Sequence, residues 1–198
     1  MSLINKIKWI LGILMVFILI ISTNLIDRKN FQRVRDSVVS IYEDRLLAKE
    51  IIFNISNILH EKEIALVEYD TAYFSIINSQ KNKELNSELE KFKKTKLTKK
   101  EERVFNDLQT DLSSIIELEK NIDTKDFKNN KNLNDKIKIA NQHLKQLSEI
   151  QITEGNRQLS ISQKAVRNVE LYTQIEIYIL IFLAVIIQII IMYQPKND

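Results

Sequence analysis

The chain carries 29 Lys and Arg against 26 Asp and Glu over 198 residues, a formal net charge of +3. A balance so even leaves no basic footprint for nucleic acid, and the absence of cysteine removes disulfides, thiolate metal sites and Cys nucleophiles together. Two glycines (Gly12, Gly155) and one proline (Pro195) are too few for hairpin turns or for any phosphate-cradling loop, which excludes P-loop and dinucleotide-binding enzymes and predicts an all-α protein.

The first element is the uncharged run Trp9–Ile26. About 20 apolar residues suffice for a helix to cross the hydrocarbon core of a bilayer, so residues 7–26 are expected to form a transmembrane helix. Lys6 and Lys8 would also suit a signal peptide. The run is longer than a signal h-region, however, and Ser22-Thr23-Asn24-Leu25 offers no A-x-A-like cleavage site, so retention as a span is expected.

From Phe31 onward the apolar residues take helical spacing. One seam runs Val34, Val38, Ile41, Arg45, Ala48, Ile52, Ile55, Leu59, Lys62 and Leu66, in alternating steps of four and three. A second stripe (Val39, Leu46, Leu47, Ile51, Ile58, Ala65) runs beside it. Two stripes on one helix predict packing inside a bundle. The polar run Asn78–Asn82 reads as the first reversal, followed by a short helix around 84–92 and a connection over Lys93–Leu97. Thr98-Lys99-Lys100-Glu101 matches a capping box and starts a third helix, with seam Phe105, Leu108, Leu112, Ile115 and Ile122. Asn121–Asn132 is the most loop-like segment.

A last helix is expected from Leu133, with seam Ile137, Ala140, Leu144, Leu147, Ile152, Leu159, Val166 and Val169. The two steps of four between 144 and 152 resemble a stutter, and Gly155 follows, so this is the softest part of the helix. The reading preferred there is a packing irregularity over a bending point. A second uncharged run, Ile177–Pro195, predicts a second transmembrane helix over residues 175–193. Trp9, Tyr172, Tyr178 and Tyr193 fall where aromatic belts would lie. Lys6, Lys8 and Lys196 oppose Arg28, Lys29, Arg33 and Arg35, so charge alone leaves the orientation open. The polar domain is expected over residues 27–174, as an antiparallel four-helix bundle whose first and last helices continue into the two spans.

Among chemistry-bearing residues, Arg45 stands on an otherwise apolar seam beside Asp44. A guanidinium there could receive an anionic ligand bidentately, or pair with an acid on a neighbouring helix. Lys62 shares the seam, with a long stem able to reach solvent. His60 and His143 are the only histidines. The segment His60-Glu61-Lys62-Glu63-Ile64 lacks the second histidine of H-E-x-x-H, and both are expected to be surface or interhelical. With no nucleophile elbow and no metal-ligand cluster, neither an enzyme nor a cofactor nor a metal site is expected.

Ser37-Val38-Val39-Ser40-Ile41-Tyr42-Glu43-Asp44-Arg45-Leu46-Leu47 and Leu97-Thr98-Lys99-Lys100-Glu101-Glu102, together with the two-span layout, resemble the four-helix-bundle sensor domain of methyl-accepting chemotaxis receptors across roughly residues 5–193. The resemblance implies a bacterial inner-membrane protein with cytoplasmic termini and a periplasmic bundle. It also implies a homodimer packed along the first helix, with Arg45 and Asp44 as ligand-binding residues. The HAMP linker and cytoplasmic coiled coil of that family have no counterpart in the 198 residues. A signal is therefore expected to pass to a separate partner in the same membrane through span–span contacts. The alternative is a structural scaffold or remnant sensor without a ligand.

Overall fold

The computed structural model describes residues 3–120, 122 and 130–192, and all regular structure among them is helical. Among the described residues there are five α-helices: α1 (Leu3–Val39), α2 (Leu47–Val67), α3 (Asn78–Lys93), α4 (Lys99–Lys120) and α5 (Lys131–Met192). Two π-helical turns, Ser40–Leu46 and Tyr73–Ile77, lie between α1 and α2 and ahead of α3.

The chain divides into two compact units, one built from residues up to Val38 together with those from Leu159 on, the other from Val39–Gln158. In the first, the helices are long and apolar enough to cross a membrane, and none of their apolar windows is buried. Leu11, Leu14, Phe17, Ile181, Phe182 and Ile189 all lie exposed. The polar residues at the inner end of the first run bond to their own helix. Ser22 Oγ donates to Ile18 O (2.7 Å), Thr23 Oγ1 to Leu19 O (3.1 Å) and Asn24 Nδ2 to Ile20 O (3.1 Å). Such back-bonding satisfies side chains that a bilayer could not.

In the second unit, side chains of α2, α3, α4 and α5 share one hydrophobic core that includes Ile55, Leu59, Leu85, Phe92, Phe105, Leu112, Ile137 and Leu147. Phe92 and Phe105 stack at 4.7 Å between centroids across the α3–α4 connection. Full burial of such side chains is worth about 1.5–3 kcal/mol each. The capping box forms as read from the sequence: Thr98 N donates to Glu101 Oε2 (2.5 Å) and Glu101 N to Thr98 Oγ1 (3.3 Å). The loop expected over Asn121–Asn132 lies largely outside the described residues.

Two expectations change. The first reversal is not at Asn78–Asn82, which is helical, but at Glu68–Asp70. There Tyr69 takes φ 57°, and α2 closes with Asp70 N donating to Ala65 O (2.9 Å) and Tyr69 N to Leu66 O (3.4 Å), a Schellman pattern. Asp70 Oδ1 then accepts from Tyr73 N (3.0 Å), capping the helix that follows. One aspartate thus ends one helix and starts the next without glycine or proline. The polarity of Asn78 and Asn82 serves a buried partner instead, described below.

The second change concerns α5. Ile152, Leu159 and Val166 are exposed, whereas Gln151 and Ala165 are buried. The inward residues from Ile137 run 137, 140, 144, 147, 151, 154, 158, still in steps of three and four. The apparent stutter arises because polar Gln151 occupies an inward position and apolar Ile152 stands beside it. Helix α5 is continuous through Gly155, where a Cβ would meet nothing within 4 Å. Gly155→Ala is therefore expected to raise stability by about 0.5–1 kcal/mol, read as a higher melting temperature in detergent. A lower one would mean that the glycine is needed for bending.

Candidate functional site

The two cations of the α2 seam are both buried, Arg45 at 7% exposure and Lys62 at 0%, and each is met by an acid on α4. Arg45 stands in the π-helical turn Ser40–Leu46. Its Nη1 donates to Glu101 Oε1 and to Gln151 Oε1 (2.9 Å), and its Nη2 to Lys96 O (2.8 Å). Gln151 Nε2 donates to Glu101 Oε1 (2.7 Å). Neighbouring Asp44 accepts from Lys96 N through Oδ1 (3.2 Å) and from Ser40 Oγ through Oδ2 (2.9 Å). Asp44 and Arg45 thereby hold both backbone polar groups of Lys96, fixing the α3–α4 connection against the start of α2. The sequence offered Arg45, with Asp44 beside it, either an anionic ligand or an acid on a neighbouring helix, and Glu101 is such an acid. Both carboxylate oxygens of Asp44 and both Nη atoms of Arg45 are engaged within the chain, while the buried Arg45 Nε has no protein partner.

Lys62 forms the second layer. Its Nζ donates to Asn78 Oδ1, Asn82 Oδ1 (2.9 Å) and Glu119 Oε1 (2.7 Å), using all three donors. Asn78 Nδ2 and Asn82 Nδ2 donate to Glu119 Oε2 at 2.9 and 3.0 Å, closing the network. Burial holds the Lys62 ammonium below its usual range, against the opposing pull of Glu119.

Tyr73 lies near this layer, 7% exposed, its ring edge-on to Phe74 at 5.3 Å and its hydroxyl without a protein partner. Burial, with the charges of Glu61, Glu119 and Glu84, pushes its phenol upward from 10.0. Because the folded state keeps this proton longer than the unfolded chain, the group's contribution is fully present below pH 10 and falls as pH rises beyond it. Tyr73→Phe should therefore stabilise the fold by about 1 kcal/mol near neutrality by removing an unpaired buried hydroxyl. It should also flatten the loss of stability above pH 10, followed by chemical denaturation across pH. A destabilised variant would show that the hydroxyl is satisfied.

Two further features were missed in the sequence. Glu101 and Glu119 stand on the α4 seam with Phe105, Leu108, Leu112 and Ile115, one step of four before Phe105 and one after Ile115. Two seam cations 17 residues apart and two seam acids 18 apart both cover about 26 Å at 1.5 Å per residue. Both pairs can form only if α2 and α4 run in the same direction in register, and that spacing was the available signal. Asp111, also on α4, receives Lys136 Nζ (3.3 Å) and lies 2.9 Å from His143 Nδ1. His143 is thus interhelical, and His60 is exposed. Among the described residues no cluster of acids and histidines could hold a metal ion.

Outside the Asp44 clamp lies a groove of about 430 Å³ lined by residues including Tyr42, Glu43, Asp44, Glu50, Lys91 and Lys94. Its charges are of both signs. No protein-family model, curated protein or solved structure matches this chain.

Proposed function

We propose that the chain is a membrane-anchored sensor module of the chemoreceptor type, held in a bacterial inner membrane by two spans. In this reading α2–α5 form an antiparallel four-helix bundle in the periplasm, both termini are cytoplasmic, and the module is a homodimer. It relays ligand binding along the last helix, through lipid-embedded span contacts, to a separate signalling partner. No enzymatic step and no nucleic acid enters this reading. The observation that carries it is helix α5, unbroken from core residues Ile137 and Leu147 into the apolar run where Ile177, Ile181, Phe182, Val185 and Ile189 lie exposed, an element able to transmit a shift. The resemblance of Ser37–Leu47 to the receptor sensor domain adds the ligand and the dimer.

The closed state of both polar layers favours a second reading, a structural scaffold without a ligand. Buried ionic layers set register whether or not anything binds.

The dimer would not use Arg45 or Ile52, since both are buried within one chain. The exposed strip is Val39, Tyr42 and Leu46, spaced three and four. Because the chain has no cysteine, single-cysteine variants test both points. Leu46→Cys should give an oxidised dimer in native membranes, and Ser79→Cys should react with an impermeant maleimide in intact spheroplasts. Labelling of Ser79→Cys only after lysis would overturn the topology, and a purely monomeric Leu46→Cys the dimer.

A further inference from the structure

A second groove, of about 570 Å³, runs between α2 and α5 within the Val39–Gln158 unit. Its apolar surfaces are Ile52, Phe53 and Leu144, and around them stand Lys49, Lys145 and the amides of Asn57 and Asn141. No acid lines it, in a chain with 26 Asp and Glu. Neither Lys49 nor Lys145 makes an ion pair among the described residues, whereas Lys62 and Lys136 on the same two helices do. The mixed-charge groove beside Asp44 has no such bias.

We infer that this groove binds a small organic anion with an apolar body. Its size lies within the range of small-molecule sites, which combine an apolar lining with a few polar groups that orient the ligand. Ile52 and Leu144 supply the apolar floor, and Phe53, more than half exposed, supplies a face for a ring or chain. The two ammonium groups supply the attraction. Lysine acts as a point charge on a flexible stem, so it accepts a carboxylate or a phosphate ester without demanding a planar fork. The asparagine amides donate and accept, and would bind a polar substituent on the same molecule. Arg45, closed inside its own network, is not needed for this recognition. The site would give the sensor reading its ligand class, but its binding chemistry does not depend on any signal.

The test is titration of the full chain in nanodiscs of zwitterionic lipid by calorimetry and ligand-detected NMR. The probes are phenylacetate, phenyl phosphate, neutral phenylacetamide and inorganic phosphate at millimolar concentration. The two aromatic anions should bind, with phenylacetamide and inorganic phosphate weaker. Both lysines are exposed, so Lys49→Gln and Lys145→Gln should leave the melting temperature unchanged; each should weaken binding about threefold, and the double variant about tenfold. Equal binding of phenylacetate and its amide would overturn the proposal. So would no binding of either aromatic anion, unchanged affinity in the double variant, or a dominant interchain disulfide from Phe53→Cys, which would assign the groove to a second copy. Failure here leaves the topology and dimer results from Ser79→Cys and Leu46→Cys standing, so the two readings fail separately.

Discussion

Glu119→Ala should cost about 3–5 kcal/mol of folding stability, the usual scale for removing one partner of a buried ion pair. Lys62 would keep its place at 0% exposure with only two neutral acceptors, and Asn78 and Asn82 would each lose the carboxylate oxygen they share. The pH dependence gives the test its sign. Lys62 is already held below 10.5 in the folded state, so the unfolded chain binds more protons between that lowered value and 10.5. Stability from this group therefore rises with pH across that window. Without Glu119 the folded-state value falls further, so the window widens and the deficit of the variant should shrink as pH is raised toward 10.5. Chemical denaturation in detergent at neutral and alkaline pH measures both. A deficit below about 1 kcal/mol, or one that grows with pH, would mean that Lys62 reaches water by another route.

Glu101→Ala should be comparably damaging, at about 3–5 kcal/mol, because one carboxylate serves two purposes. It accepts from Arg45 and Gln151 in the interior and from Thr98 N at the start of α4. Loss of a cap alone costs about 1 kcal/mol, so a loss confined to that size would assign Glu101 to capping only. A double-mutant cycle separates the parts. Arg45→Met with Glu101→Leu should be at least about 1 kcal/mol less harmful than the two single changes added together, since the double variant leaves no buried charge unpaired. Strict additivity would show that the pair is not coupled.

The helices themselves were legible because their signals are local. The Thr98–Glu101 box needs only four consecutive residues, and both of its bonds form. The core side of α2 and α4 follows from steps of three and four, and Ile55, Leu59, Leu108 and Leu112 are buried as that spacing implies. Polar residues resisted the same reading. Asn78 and Asn82 carry the composition of a turn, and only Lys62 and Glu119, reached across 16 to 41 positions of chain, make Asn78 a buried and Asn82 a half-buried helical residue. The turn that does reverse the chain uses Tyr69 in a left-handed conformation, which no glycine or proline announces. For Arg45 the residue and its kind of partner, an acid on a neighbouring helix, were legible, but not which acid. Its partners Glu101 and Gln151 lie 56 and 106 positions away.

By itself the sequence determined that this protein is helical, that it carries two uncharged runs long enough to cross a membrane, and which apolar residues face inward on the α2 and α4 seams. Only the tertiary structure decided which polar side chains go in with them, where the chain turns between α2 and α3, and that Gln151 rather than Ile152 faces the interior of α5. The physical reason is one of range. Apolar burial is non-directional and is repeated along a helix at a fixed period, so it is written locally. A buried charge is tolerated only where a partner from another helix completes its hydrogen bonds, and whether that partner arrives depends on the register of helices far apart in the chain.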